Sequence, residues 1–187
     1  MTPKRAGISR GKRLLTLILF VACTVVAAPG GDFSLTDHNG ESFRLQQLRG
    51  KLVLLFFGYT HCPDICPTEL ANLAAVMNTL GDRAAEVQGV FVSLDPERDT
   101  PALLRDYTRY FSDNLIGLTG SQEEIAAVAR QYRVKYNKHW KENGGYSLDH
   151  SVNLYVIDRN GLLSTIVPYG LPPEHVLMLI RRLLQGE

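Results

Sequence analysis

The chain has 187 residues and carries 20 lysines and arginines against 19 aspartates and glutamates. This balance leaves no positive excess of the kind that attracts nucleic acid, so nucleic-acid binding is set aside. Most of the length lies beyond a basic first segment and suits one domain with a sizeable core. No repeat or low-complexity stretch interrupts it.

The first 30 residues have the pattern of a secretory signal. Five basic residues precede the apolar stretch Leu14–Ala28, and no acidic residue occurs before Asp32. A basic region, a short apolar region and a small-residue exit are typical of an export signal. The apolar stretch is shorter than the ~20 residues usual for a spanning helix, so a cleaved signal and a short uncleaved anchor both stay open. Cys23, inside this stretch, is interpreted as apolar filler rather than a lipoprotein cysteine. Residues 31–187 are expected to fold outside the cytoplasm.

The exported part is expected to begin with a hairpin. Residues 33–48 surround Asn39-Gly40, a strong turn dipeptide. Gly50 then leads into Leu52–Phe57, a continuous apolar run that is typical of a strand covered on both faces.

Two cysteines, Cys62 and Cys66, follow directly after this strand, and Pro67 is expected to open the next helix. The unpaired N–H groups and the dipole at a helix N-terminus favour thiolate over thiol. A thiolate is both a nucleophile and a soft metal ligand. The spacing is one residue longer than in a thioredoxin-like redox pair, and by itself it leaves a metal site, a redox pair and a structural disulfide open.

The later elements alternate between strand and helix signals. Pro101, capped by Thr100, and Ser121, with Glu124 completing a capping box, each begin a helix. The predicted elements after the cysteines are a helix from Pro67 to about Leu80, a strand Val87–Leu94, a charged loop Asp95–Pro101, these two helices, a strand pair Asn153–Ile157 and Leu162–Val167, and a helix from Pro172-Pro173.

This order predicts an α/β protein with a thioredoxin-like fold, an N-terminal β-hairpin and an insert at about Arg133–Ser147, before the third core strand. In that fold the strand beginning near Asn153 lies antiparallel beside the strand that ends at Phe57. His150, just before the former, is thereby carried toward Cys62 and Cys66.

Two thiolates and one imidazole would make a three-ligand metal site. Soft thiolates select Cu(I), zinc or iron–sulfur clusters, and imidazole suits copper in either oxidation state. A structural zinc site needs a fourth ligand, for which only His61 and Asp64 are candidates. His61 is better interpreted as a hydrogen-bonded loop histidine. Three ligands with an open flank suit a copper ion that is handed on.

Three segments now carry a resemblance to a known family. Gly58–Thr68, Asp95–Pro101 and Asp149-His150-Ser151, in this order, resemble the Sco/SenC copper chaperones for cytochrome c oxidase assembly, and the likeness extends over residues 33–184. It implies ligation of copper, Cu(I) or Cu(II), by Cys62, Cys66 and His150. It also implies a copper donor protein and delivery to, or preparation of, the binuclear CuA centre of cytochrome c oxidase subunit II. The expected location is the periplasmic side of a bacterial inner membrane, with membrane association through residues 14–28 left open.

The rival function is enzymatic. A thiol-disulfide reductase would use Cys62 and Cys66 as its redox pair to keep the subunit II cysteines reduced. The histidine at position 150 favours copper binding, because a reductase does not require it, and so we expect a binding protein without turnover.

Other polar residues in and near these motifs are assigned roles outside the set of three ligands. Asp149 either contacts the His150 imidazole or is an exposed turn carboxylate. The charged residues Asp95, Arg98 and Asp99 are interpreted as an ion-paired loop that orders itself and caps the next helix. Surface packing is expected for His139, and no chemistry is assigned to His38 and His175.

Overall fold

The computed structural model describes residues 28–142 and 144–186. The predicted export signal, its apolar stretch and Cys23 lie outside these residues, apart from the last few positions of the segment. Among the helices of the described part, none combines the length and the apolar composition needed to cross a bilayer.

Strands and helices alternate along most of the chain. In chain order the elements are β1 Ser34–Asp37, β2 Ser42–Arg44, β3 Leu52–Gly58, α1 Ile65–Thr79, β4 Val87–Ser93, α2 Pro101–Phe111, β5 Leu115–Thr119, α3 Gln122–Gln131, β6 Tyr136–Trp140, β7 Tyr146–His150, β8 Leu154–Ile157, β9 Leu163–Val167 and α4 Pro173–Gln185, with 3₁₀ turns at Leu45–Leu48 and Gly81–Glu86.

The core is a seven-stranded mixed sheet in the order β2-β1-β5-β4-β3-β8-β9. Strands β3, β4 and β5 are parallel, and β8 runs antiparallel beside β3. Every residue of β3 and β4 is buried, as the unbroken apolar sequence of β3 predicts for a strand covered on both faces. The two polar residues of β4, Gln88 and Ser93, are buried as well. The predicted α/β, thioredoxin-like architecture is confirmed, and the N-terminal hairpin is β1–β2.

One central strand is missing from the predicted set. The β5 segment is short and carries Gly117 in its middle, which weakens its strand signal. The fold requires a glycine there, since a Cβ at this position would lie 3.0 Å from Leu104 Cβ and 3.1 Å from Thr108 Cγ2 on α2. Because the packing of α2 on the sheet requires glycine at this position, the sequence of β5 lacks a clear strand pattern.

Helix α1 begins two residues before the predicted position. It starts at Ile65, so Pro67 lies within the first turn rather than opening the helix. A proline is tolerated at this position because the first four N–H groups of a helix have no helical partner. The consequence is that Cys66 is itself a helical residue, held in the first turn.

The predicted helix caps are confirmed. Thr100 accepts a hydrogen bond from the Leu103 N–H at the start of α2. Ser121 and Glu124 form both bonds of a capping box at the start of α3. These caps fix where the two helices begin and so fix the ends of the loops before them.

The insert is a second, two-stranded sheet made of β6 and β7. His150 pairs with Tyr136 at the end of this hairpin, four residues before β8. The β8 strand then pairs with β3, with Leu154 opposite Phe56. The hairpin therefore places His150 beside the C-terminal end of the central strand β3.

Candidate metal centre

The two cysteines occupy the loop after β3 and the first turn of α1. The Cys62 N–H donates to the Tyr59 carbonyl at 3.2 Å, which closes a tight turn. The Cys66 N–H in turn points at Cys62 Sγ at 3.5 Å. Cys66 is fully buried and Cys62 is half-buried, so of the two sulfurs it is that of Cys62 that solvent can reach.

Gly58 makes room for the buried sulfur. A Cβ at this position would lie 2.7 Å from Cys66 Sγ and 2.8 Å from a ring carbon of Phe91. Both separations are shorter than real Cβ contacts, so any larger residue at the end of β3 would displace the thiol or the ring. The glycine before the cysteine motif is thus part of the site.

His150 joins the cysteines from the opposite side. Its Nε2 lies 3.5 Å from Cys66 Sγ. One ligand atom from each of Cys62, Cys66 and His150 lies within 4.8 Å of the other two. The rings of Phe56 and Tyr59 pack edge-on against the imidazole and hold its plane. The fold therefore brings together all three residues that the sequence predicted as ligands.

The imidazole is oriented for ligation through Nε2. Its Nδ1 lies 2.9 Å from the Ser151 carbonyl, which can only accept, so Nδ1 carries the proton. The lone pair of Nε2 then faces the cysteines. Burial lowers the pKa of His150, although the Ser151 carbonyl and Asp149 act in the opposite direction. A neutral imidazole of this tautomer is a metal ligand without further change.

The expectation of a favoured thiolate is wrong for Cys66 in the metal-free protein. Burial raises the pKa of the Cys66 thiol far above its usual value, and the nearby Cys62 and Asp99 act in the same direction. A backbone hydrogen bond with Tyr59 opposes this shift without outweighing it. Desolvation exceeds the effect of the helix terminus because the sulfur lies inside the core.

Neither candidate for a fourth ligand joins this group. His61 is half-exposed, and its Nδ1 lies 3.1 Å from Thr60 Oγ1. It clusters instead with Asp95 and Asp99 on another side of the loop. Asp64 is exposed at the position before α1. The hydrogen-bonded interpretation of His61 is confirmed.

Asp149 does not contact the His150 imidazole. Successive residues of a strand point to opposite faces, so Asp149 lies on the outer face of the hairpin. There it pairs with His139 Nε2 at 2.9 Å, and both side chains are exposed. The interpretation as an exposed carboxylate is confirmed, and His139 has a surface role as expected.

The charged loop after β4 is ion-paired and ordered as predicted. Asp95 pairs with Arg98, and the Asp99 N–H donates to the Asp95 carbonyl at 2.9 Å. Its connection to the cysteine loop was not predicted from the sequence: buried Asp99 accepts hydrogen bonds from both the N–H and the hydroxyl of Thr60. These residues are 39 positions apart, and no local sequence signal links them.

Comparison with known sequences agrees with these motifs. The profile of the SCO1/SenC family matches residues 23–185. The SCO1 homolog 1 of Arabidopsis thaliana, a mitochondrial protein by name, is 48% identical over 132 residues, which cover 70% of this chain and 40% of that protein. The mitochondrial SCO2 homolog of Bos taurus is 43% identical over 155 residues, covering 81% and 58%. The chain spans 40% to 65% of the length of such relatives, which include a SCO2-like protein of Rickettsia felis.

Solved structures with copper bound share the fold. Arabidopsis thaliana ScoI superimposes with a TM-score of 0.81 at 38% identity, over 86% of this chain and all of that one. Bradyrhizobium japonicum ScoI gives a TM-score of 0.77 at 42% identity, over 83% of this chain and 99% of that one. With a family profile that spans most of the sequence and relatives of this similarity, the chain belongs to the SCO1/SenC family.

Proposed function

We propose that this protein binds one copper ion through Cys62, Cys66 and His150 and delivers it to, or prepares, the CuA centre of cytochrome c oxidase subunit II. The observation that carries the proposal is the convergence of two sulfurs and one imidazole nitrogen within 4.8 Å. The three residues come from a loop, a helix and a separate hairpin, so their meeting is a product of the tertiary fold.

The donor set suits copper in particular. Two sulfurs and an imidazole match the preferences of Cu(I), and the imidazole is also a good ligand for Cu(II). A structural zinc ion would take four protein ligands, whereas the cluster in the described part of the chain offers three. The copper-bound structures of relatives from Arabidopsis thaliana and Bradyrhizobium japonicum support the same choice of metal.

The surroundings of the site support transfer rather than storage. Cys62 and His150 are only partly buried, so the ion would be reached from solvent on their side. A shallow depression lies beside the imidazole, lined by Lys135, Asn137, Asp149, His150 and Ser151. A ligand from a partner protein can approach through this depression while the buried Cys66 keeps hold of the ion.

The partners follow from the same proposal. Copper delivery requires a donor protein upstream and the CuA-bearing subunit downstream, both outside the cytoplasm in a bacterium. We propose that the domain works on the periplasmic side of the inner membrane, held there by residues 14–28 or released after cleavage. Mass spectrometry of the N-terminus from native membranes distinguishes retention from cleavage, and an intact Met1 on a cytoplasmic protein would contradict export.

Direct transfer tests the delivery step. The copper-loaded protein is mixed with the metal-free CuA domain of subunit II, and the visible absorption of CuA is followed. The expected result is a CuA spectrum together with loss of copper from this protein. A copper-loaded protein that leaves the acceptor unmetallated, under conditions where free copper ions do load it, would contradict delivery.

The different burial of the two cysteines supports a second candidate function, that of a thiol-disulfide reductase. A half-buried Cys62 can attack an external disulfide, and the buried Cys66 is placed to resolve the mixed disulfide. The two sulfurs lie within 4.8 Å, so a bond between them needs only a local shift. Such a disulfide would consume both sulfur ligands, and oxidised protein is therefore expected to take up no copper; stoichiometric uptake by that form would rule this out.

A further inference from the structure

We infer that Asp95, Arg98 and Asp99, in the loop after β4, are positioning residues that hold the cysteine loop and the His150 hairpin of the metal centre at their mutual distance. The inference rests on the proposed copper site. The loop supplies no ligand to that site. Through the buried side chains of Asp95 and Asp99 it makes polar contacts with the cysteine loop and with the hairpin that carries His150.

Asp99 holds the cysteine loop. Its side chain is fully buried, and its Oδ2 accepts from the Thr60 N–H at 2.9 Å while its Oδ1 accepts from the Thr60 hydroxyl at 2.6 Å. The Ser93 hydroxyl, at the end of β4, donates to Oδ2 at 2.6 Å. One carboxylate thus ties the backbone two residues before Cys62 to the central sheet. Hydrogen bonds to a charged acceptor are about twice as strong as neutral ones.

Asp95 and Arg98 hold the histidine hairpin. The Tyr146 hydroxyl donates to Asp95 Oδ1 at 2.7 Å, and Arg98 Nη1 donates to the Tyr146 carbonyl at 3.2 Å. The Arg98 guanidinium lies 3.7 Å from the centre of the Tyr146 ring and 5.9 Å from that of Tyr59. Its Nη2 is buried without a hydrogen-bond partner, so contact with these rings is its main compensation.

Strand β7 connects Tyr146 at its start to His150 at its end. Tyr146, Leu148 and His150 alternate along β7 and so share one face, which is directed at the domain. Leu148 is buried in the core between the two, and its backbone hydrogen-bonds to the Tyr59 side chain. Fixing Tyr146 at one end of the strand therefore restricts where His150 can lie at the other.

A second contact between the same loop and the same hairpin provides a control. Glu97 pairs with Lys138 at 2.9 Å, and more than half of the Glu97 side chain is exposed. The Tyr146 hydroxyl lies 3.4 Å from Glu97 Oε2, a longer contact than its 2.7 Å bond to Asp95, and glutamine at position 97 would keep an acceptor for it. An exposed pair of this kind contributes little to stability, because water screens its charges. If the buried contacts do the positioning, removing the Glu97 charge should leave the metal centre unchanged.

The test compares Asp99→Asn, Tyr146→Phe and Thr60→Val with Glu97→Gln and Thr60→Ser in the full-length protein. Copper stoichiometry, Cu(I) affinity against a competing chelator and the sulfur-to-copper charge-transfer absorption of the Cu(II) form are measured. The first three variants keep every ligand, yet they should bind Cu(I) about 10- to 100-fold more weakly and with a shifted absorption. Glu97→Gln and Thr60→Ser, which keeps the hydroxyl, should match the parent protein.

The outcomes separate this inference from the proposed function. A parent protein that binds no copper contradicts the proposed function itself. A parent that binds copper, together with folded Asp99→Asn, Tyr146→Phe and Thr60→Val variants of unchanged affinity and absorption, overturns only the positioning role. If Asp99→Asn fails to fold, the comparison of Thr60→Val with Thr60→Ser decides, because the first loses the hydroxyl that donates to Asp99 and the second keeps it. The same hydroxyl contacts His61, so His61→Ala shows whether that contact matters.

Discussion

His150 Nε2 lies 3.5 Å from Cys66 Sγ, although the two residues are 84 positions apart in the chain. The contact depends on the antiparallel pairing of β3 with β8, which brings the end of one strand to the beginning of the other. It also depends on a buried sulfur that needs the space left by Gly58. The convergence of two thiols and one imidazole is therefore a consequence of strand topology.

Replacement of His150 separates the two candidate functions. His150→Ala removes the nitrogen ligand but neither thiol, and thiol exchange needs only the two sulfurs. Loss of a residue that only hydrogen-bonds to a metal ligand typically lowers metal affinity roughly 10- to 100-fold, and loss of the ligand itself should lower copper affinity by more. CuA loading in cells should also drop. Reduction of a test disulfide by the purified variant should continue at close to the parent rate.

His139→Ala is the matched control, because His139 lies on the outer face of the same hairpin and pairs with exposed Asp149. That variant should keep both copper affinity and CuA loading. If His150→Ala matured oxidase normally at limiting copper, the delivery function would be wrong and the reductase function would take its place.

Gly58→Ala should damage the site by steric displacement. The added methyl group would lie 2.7 Å from Cys66 Sγ, so the sulfur must move away from its present position. Overpacking of this kind costs about 1–3 kcal/mol of stability, and here we also expect weaker Cu(I) binding. Denaturant unfolding and a chelator competition measure the two effects.

Gly89→Ala distinguishes a local from a general effect. Its added methyl would meet Leu115 Cδ1 at 2.8 Å, in the same sheet but away from the cysteines. It should lose a similar amount of stability and keep full copper affinity. Equal losses of affinity in both variants would show that Gly58 has no special relation to Cys66.

His38 should make stability depend on pH. Its Nδ1 accepts the Gly117 N–H at 3.1 Å and lies 3.4 Å from the Thr108 hydroxyl, so this nitrogen must stay unprotonated. Burial lowers its pKa in the folded protein, helped by Arg105 and Arg109 and opposed by Asp37. The unfolded chain then takes up a proton first, and the contribution of this group is lost as the pH falls below about 6.5.

Urea unfolding at pH 7.5 and pH 5 should therefore show lower stability at the acid pH, with a smaller difference in His38→Gln. Comparing the variant with the parent cancels the contribution of the other titrating groups. An identical pH dependence in the two proteins would show that His38 is not the source.

The sequence was informative where local chemistry decides the structure. Thr100, Ser121 and the Asn39-Gly40 turn marked element boundaries correctly, because caps and turns act within a few residues. The motif Cys62 to Cys66 identified the loop, and the strand order predicted that His150 lies near it. The family resemblance added the implication that all three residues bind copper.

Other features depend on contacts that no local pattern contains. The β5 strand was hidden by Gly117, which the packing of α2 requires. The tie between Asp99 and Thr60 joins two loops that only the sheet brings together. The high pKa of Cys66 reflects how deeply its sulfur is buried, and the sequence position at a helix start indicated the opposite.

The most direct test of the copper site is a Cu(I) titration of the fully reduced protein against a competing chelator, repeated with Cys62→Ser, Cys66→Ser and, as a control from the same loop, His61→Ala. One copper per chain is expected for the parent protein and for the control, since His61 belongs to a different cluster. Each serine variant should lose most of its affinity because a soft sulfur ligand is replaced by a hard hydroxyl. Full affinity in either serine variant would contradict the assignment of Cys62 and Cys66 as copper ligands.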